Sequence, residues 1–193
     1  MRQIAFAFMS LLMMLSVGCI QSVQPFYKDE QVIAPGEFVG TWSDPKGENG
    51  IFVVAANADG KSCVVEFKDD DKTHRFDVNF ATVGEKTIAD FVPQLTEDEK
   101  AADPPKQAHH GFVIVEIKDH DTLLVSAMDY NWFKKLMETD PNTLKHEKVD
   151  TEYLLTTTTD ELQAFLIKHF ATAGAYGEAA EFKRAGATTK SSQ

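Results

Sequence analysis

The sequence predicts a mainly β or α+β domain, in which an antiparallel sheet curls strongly or closes into a small barrel, with a helix at the C-terminal end. Short turns such as Asn57-Ala58-Asp59-Gly60 separate apolar, β-branched runs, a spacing typical of hairpins. Residues 74–83 alternate apolar and polar side chains, as in a strand with one buried face. A series of hairpin-linked strands favours a barrel or curled sheet over a flat one.

Six to eight strands are predicted in order along the chain. The segments between most of them are rich in turn-forming residues, as at 44–50, 68–72 and 118–121. Residues 111–117 are apolar on both faces for part of their length, which suits a closed or well-covered sheet. The predicted strands comprise residues 38–42, 51–56, 61–67, 74–83, 87–92, 111–117, 122–128 and 152–156.

Three helical segments are predicted, at residues 96–102, 131–138 and 159–170. Capping-box sequences precede the first and the last, Thr96-Glu97-Asp98-Glu99 and Thr158-Thr159-Asp160-Glu161. The last helix has a single apolar stripe, formed by Leu162, Phe165, Leu166 and Phe170. In segment 131–138 we expect Trp132, Phe133, Leu136 and Met137 to pack back on the sheet.

Composition indicates one folded domain with an acidic surface. Of 193 residues, 43% are hydrophobic and 14 are phenylalanine, enough for a substantial core, so global disorder is excluded. The formal net charge of −11 makes nucleic acid a poor partner.

The predicted domain covers residues 37–172 and is flanked by irregular segments. Residues 19–36 lack a clear period and contain Pro25 and Pro35, so we expect a flexible tether. Residues 173–193 are rich in Ala, Gly, Thr and Ser, so we expect a flexible tail. Cys63, in an apolar strand, is expected to be a buried and unreactive thiol.

The N-terminus has the layout of a secretory signal. Arg2 precedes an apolar run at residues 4–17, and Gly18 precedes Cys19. As a helix the run would be roughly 21 Å long, short for a hydrocarbon core of ~30 Å.

Ser16-Val17-Gly18-Cys19 resembles the lipobox of bacterial lipoproteins, although that family usually has Leu where Ser16 stands. The resemblance implies removal of residues 1–18 and acylation of Cys19, with palmitate among the chains, so that the lipid bilayer becomes a partner. Ile20 is not Asp, which in that family implies the outer membrane of the cell envelope, facing the periplasm. A plain secretory peptide is the alternative.

Phe38-Val39-Gly40-Thr41-Trp42 resembles the F-x-G-x-W start of the first barrel strand in lipocalins. The order of elements, antiparallel strands and then a C-terminal helix, is similar too. The resemblance implies a cavity that could hold an apolar ligand, with Trp42 at one barrel end. The residues assigned to this site are Trp42, Phe52, Phe67, Phe76, Phe80 and Phe91. The alternative is that these aromatic residues simply fill the interior.

Motifs for catalysis or metal binding are absent from the sequence. His109 and His110 are adjacent and would face opposite sides of a strand, while His120 lies in a turn between acidic residues. There is no G-x-S-x-G, H-E-x-x-H, C-x-x-C or phosphate-binding glycine pattern. We therefore predict no catalytic residue, no metal and no cofactor.

Taken with the envelope address, these observations predict a lipid-anchored, non-enzymatic interaction module. Its partner would be an envelope protein, docked on an outer face of the sheet or on the 93–110 loop. The first alternative is a lipocalin-like carrier or sensor of a small hydrophobic molecule. A periplasmic enzyme is the second alternative.

Overall fold

The computed structural model describes residues 20–47, 50–69, 72–102, 106–149 and 152–186. The predicted signal at residues 1–18 and the predicted lipidation site, Cys19, lie outside the described residues. Along the described chain, β-strands predominate and three helices occur.

Eight antiparallel strands form a closed barrel. Its members are β2 (Gly40–Ser43), β3 (Ile51–Ala56), β4 (Ser62–Asp69), β5 (Lys72–Val83), β6 (Lys86–Pro93), β7 (Gly111–Asp119), β8 (Thr122–Ser126) and β11 (Ala180–Arg184). Strands β2 to β8 follow one another as neighbours, and β11 pairs with both β8 and β2 to close the ring. The predicted mainly-β fold, with a small barrel and a C-terminal helix, is confirmed.

The two faces of the barrel strands serve two hydrophobic cores. On β5, Val78 and Phe80 belong to the core inside the barrel, whereas Ala81 and Val83 belong to a second core on its outer side. Successive side chains of a strand point to opposite faces, so the long apolar end of β5 supplies both cores.

A three-stranded sheet and two longer helices complete this outer core. The sheet contains β1 (Gln21–Ser22), β10 (Glu152–Leu155) and β9 (His146–Val149), in that order, with β1 parallel to β10. The helices are α1 (Glu97–Lys100), α2 (Tyr130–Thr139) and α3 (Thr159–His169). The predicted strand 152–156 therefore exists but lies outside the barrel.

Helix α3 begins where the capping box predicts. The Thr158 hydroxyl accepts a hydrogen bond from the backbone N–H of Glu161, and the Glu161 carboxylate accepts one from the backbone N–H of Thr158. Leu162, Phe165 and Leu166 are buried in the outer core. The predicted apolar stripe of α3 thus packs against the outside of the barrel.

The N-terminal segment differs from the predicted tether. Ile20 is 6% exposed and Phe26 is 1% exposed, both within the outer core. Ser22 exchanges two backbone hydrogen bonds with His110, both 2.9 Å long. The prediction of a flexible segment is therefore wrong for residues 20–36. Although this segment has no hydrophobic period, its scattered apolar side chains and its hydrogen bonds hold it against the domain.

The C-terminal segment also differs from prediction. Residues 180–184 form β11, in which Phe182 faces the inner core, so the predicted flexible tail is wrong for this part. Paired on both sides, β11 gains its order from β8 and β2 rather than from a strong local strand pattern. Residues 187–193 lie outside the described chain.

Candidate functional site

One end of the barrel is closed by the residues of the F-x-G-x-W segment. The Trp42 side chain is completely buried, and its Nε1 donates a hydrogen bond of 2.8 Å to the Phe38 carbonyl. The Phe38 ring stacks on Phe80 with 4.0 Å between ring centroids. These contacts hold the segment that precedes β2, which contains Phe38, across the end of the barrel.

Arg184, the last residue of β11, contacts this closed end of the barrel from outside. Its guanidinium lies over the Trp42 ring, 4.2 Å from the centroid, and donates hydrogen bonds to the carbonyls of Val39 and Glu37. A Cβ on Gly40 would lie only 2.6 Å from a guanidinium nitrogen, and Gly40 has a φ of +141°. Glycine is therefore required where the arginine crosses β2.

Beyond this closed end, the barrel contains a cavity of about 380 Å³. Its wall is predominantly apolar, built from phenylalanine, valine, leucine and alanine side chains of all barrel strands except β2, whose Trp42 lies at the closed end. Cavities of this size and character are typical of small-molecule sites. The interior is therefore only partly filled by its own side chains.

The five phenylalanines assigned to a ligand site from the sequence all line this cavity: Phe52, Phe67, Phe76, Phe80 and Phe91. The sixth assigned residue, Trp42, does not line it.

The aromatic wall is partly accessible from the cavity. Phe52, Phe76 and Phe91 are only half-buried although they belong to the inner core. Phe76 and Phe91 meet edge to face at 5.8 Å between ring centroids. Gly111 lies directly opposite Phe91, and a Cβ there would come within 2.6 Å of the Phe91 ring. The glycine thus leaves room for the ring at this position of the wall.

At the opposite end, where β8 ends and β11 begins, the wall becomes polar. Asp129, Tyr130 and Glu178 line the cavity there, and Glu178 is exposed. The Asp129 carboxylate caps α2 by accepting a hydrogen bond of 2.7 Å from the backbone N–H of Trp132. Burial, followed by the nearby Glu152 carboxylate, raises the pKa of the Tyr130 phenol. The cavity therefore reaches the surface through an acidic rim.

The N-terminal segment borders the cavity beside Phe112. Ile20 contributes to the wall, together with Phe112 and Met128 from the outer core. A buried carboxylate, Asp90 on β6, holds this segment in place. It accepts a hydrogen bond of 2.8 Å from the backbone N–H of Phe26 and lies 2.7 Å from Nδ1 of His110.

His109 and His110, in the predicted loop, contact groups that hold the N-terminal segment, and they do not lie together at one site. His109 Nδ1 lies 3.2 Å from the Gln21 amide oxygen, whereas His110 contacts Asp90 on the barrel. Burial, and then the neighbouring His110, lower the pKa of His109. The two rings thus contact different partners, one on β1 and one on β6.

A second depression, a surface cleft of about 620 Å³, lies between α3 and the segment that joins α2 to β9. Its wall includes Lys145, Lys168 and Glu161. The Glu161 carboxylate accepts hydrogen bonds from the hydroxyls of Thr157 and Thr158. This carboxylate is therefore occupied in capping α3.

In the part of the chain that the structure describes, metal-ligating side chains do not cluster, and the one described cysteine is unreactive. No three His, Cys, Asp or Glu side chains there are placed to hold a metal ion. Cys63 is buried, and desolvation raises the pKa of its thiol to about 12. It therefore stays protonated at neutral pH and has little nucleophilic character.

Sequence reasoning missed four residues of this region: Ile20, Asp129, Glu178 and Arg184. Asp129 had a detectable signal, because an acidic residue before an apolar helical segment is a common N-cap. The other three lie in stretches assigned to a tether or a tail, where no local pattern relates them to the barrel.

The described residues contain no helix that is both long and apolar enough to cross a membrane. No model of a known family matches the chain, and neither the curated proteins nor the solved structures include a significant match to it.

Proposed function

We propose that the protein binds a small apolar molecule inside the barrel, as a carrier or sensor. The observation that carries this proposal is the cavity of about 380 Å³ with its largely apolar wall. This size is near the lower end of the range for drug-sized ligands, ~300–1,000 Å³. The eight phenylalanine rings and the Tyr130 ring of the described wall offer a large contact area for an alkyl or aromatic group.

A ligand in the cavity would gain contacts with its apolar wall. Each close contact between non-bonded heavy atoms contributes little dispersion energy, but many such contacts add up. Transfer of apolar surface from water into such a site contributes ~25 cal/mol per Å² before the cost of ordering the ligand. The half-buried rings of Phe52, Phe76 and Phe91 are the surfaces that a ligand would cover.

The test is to fill the cavity with a larger side chain. Val113 is half-buried on β7 and lines the cavity, so Val113→Phe would occupy space that a ligand needs. With the uncharged fluorophore N-phenyl-1-naphthylamine as probe, we expect saturable one-to-one binding to the unaltered protein. We expect Val113→Phe to weaken it at least about tenfold, a change of ~1.4 kcal/mol.

Val53→Phe is the matched control for this test. Val53 is 39% exposed on β3 and does not line the cavity, so the same enlargement there should leave probe affinity unchanged. Equal losses in the two variants, or no saturable binding to the unaltered protein, would contradict the proposal. Circular dichroism would verify that both variants remain folded.

The predicted envelope address remains part of the proposal and depends on Ser16-Val17-Gly18-Cys19. Because Ile20 is packed against the barrel, an acylated Cys19 would hold the domain directly at the bilayer, without an intervening tether. In a Gram-negative host we expect Cys19→Ala to abolish palmitate labelling and Cys63→Ala to preserve it. Labelling that survives Cys19→Ala would contradict lipidation at this residue.

Docking of an envelope protein, the other predicted role, would use the outside of the barrel. Ile51 and Val53 are exposed, large apolar side chains of β3, a strand that contributes no residue to the outer core as far as the chain is described. If Val113→Phe and Val53→Phe both bind the probe normally but Val53→Phe prevents capture of an envelope protein, the interaction module becomes the better proposal.

A further inference from the structure

We infer that the barrel cavity selects apolar molecules whose polar end is neutral or positively charged, and discriminates against fatty-acid-like anions. This inference rests on the proposed function and names the ligand class of the same site. It follows from how charge is distributed around the cavity.

All charge on the described cavity wall is negative. Asp129 and Glu178 are its only charged side chains among the described residues, and no Lys, Arg or His contributes to it. Both carboxylates lie at the rim, where β8 ends and β11 begins, while the remainder of the wall is apolar apart from Tyr130. A bound amphiphile would therefore place its polar end beside these two carboxylates.

The two carboxylates differ in how fully their charge is available. Asp129 is half-buried and caps α2, a ten-residue helix whose N-terminal dipole offsets part of its charge. Glu178 is exposed and is not the N-cap of any described α-helix. Burial is the main cause of the raised pKa of the neighbouring Tyr130 phenol, and the Glu152 and Glu138 carboxylates raise it further. The field at the rim is therefore negative, as is the overall charge of −11.

The size of the cavity limits the apolar part of the ligand. At ~30 Å³ for each water-sized group, about a dozen such groups fit within the enclosed volume. A single ten-carbon alkyl chain is therefore a suitable test ligand. Ion pairs at exposed sites contribute ~0.2–1 kcal/mol each. Two carboxylates that attract a cation and repel an anion should separate matched ligands at least about fivefold.

The experiment compares three probes that share one chain: decylammonium, decanol and decanoate. At neutral pH the ammonium and the carboxylate are charged, and each probe is used below its aggregation concentration. Displacement of N-phenyl-1-naphthylamine measures affinity. We expect decylammonium to bind at least about fivefold tighter than decanoate, with decanol between them.

Variants show whether the rim is responsible. Glu178→Gln removes one charge, and Asp129→Asn removes the other while keeping a good helix N-cap. In the double variant we expect the preference for decylammonium over decanoate to fall below about twofold. Glu181→Gln is the control: Glu181 lies on β11, three residues after Glu178, is paired with Lys183 and does not line the cavity. It removes one negative charge, as each single rim substitution does, and should leave the preference intact.

The outcomes separate the inference from the function on which it rests. If decanol binds but decanoate binds as tightly as decylammonium, the charge preference is overturned and the cavity proposal stands. A preference that persists in the double variant, or that Glu181→Gln reduces equally, also overturns the inference, because net charge would then be the cause. If none of the three probes displaces the fluorophore, the proposed function itself fails.

Discussion

Replacing Trp42 with alanine is expected to lower the free energy of unfolding by ~3–5 kcal/mol. The indole is completely buried at the closed end of the barrel, so its removal leaves a void that the rigid strands cannot fill. It also removes the hydrogen bond to the Phe38 carbonyl and the ring beneath the Arg184 guanidinium. Urea denaturation followed by circular dichroism would measure the loss.

Phe52→Ala is the matched control for Trp42→Ala. Phe52 is also aromatic and also faces the barrel interior, on the neighbouring strand and directly opposite Trp42. Its ring is only half-buried because it borders the cavity, so its removal should cost less than half as much. Equal losses would mean that the closed end is no better packed than the cavity wall.

Trp42→Phe separates packing from polar contacts. A phenyl ring keeps an aromatic surface below Arg184 but cannot donate to the Phe38 carbonyl, which would then be buried without that partner. We expect a loss smaller than that of Trp42→Ala and larger than that of Phe52→Ala.

The fold was predictable where local pattern and local pairing coincide. The hairpin predicted at residues 51–56 and 61–67 is found as β3 and β4, and the alternating segment 74–83 is found within β5. In these strands the partner is the next strand along the chain, so turn residues and alternation carry the required information.

The fold was not predictable where a strand depends on a partner strand and its own sequence lacks a strand pattern. β9 is His146-Glu147-Lys148-Val149, a polar stretch that becomes a strand only beside β10. β11 closes the barrel across a long separation from β2, and a single phenylalanine in it faces the inner core. Neither has the apolar alternation by which strands are recognised in a sequence.

The distances between side chains across the barrel interior decide whether phenylalanines fill the barrel or line a cavity. All four of these rings line the cavity, but Phe38 and Phe80 stack at 4.0 Å with no space between them, whereas Phe76 and Phe91 meet edge to face at 5.8 Å. The sequence assigned Phe76, Phe80 and Phe91 to one candidate site and Phe38 to the F-x-G-x-W segment. Their different surroundings follow from strand tilt and closure, which no local pattern encodes.

Asp90→Ala is expected to destabilise the protein by ~2–4 kcal/mol, because it leaves the buried Phe26 backbone N–H and the half-buried His110 imidazole without this partner. Asp90 is 1% exposed, accepts from the Phe26 backbone N–H and contacts His110 Nδ1. Asp77→Ala is the control, because Asp77 is an exposed acid of the same sheet that accepts from Gln94. Its loss should cost less than ~0.5 kcal/mol.

In Asp90→Ala, we expect the N-terminal segment to unfold locally before the whole domain unfolds. Without the carboxylate, residues 20–26 would separate from the barrel while β2 to β8 keep their pairing, so the Phe26 N–H should lose hydrogen-exchange protection first. Because Ile20 forms part of the cavity wall, the same variant should also weaken N-phenyl-1-naphthylamine binding. Undiminished protection at Phe26 in Asp90→Ala would mean that β1 and the outer core hold the segment without this carboxylate.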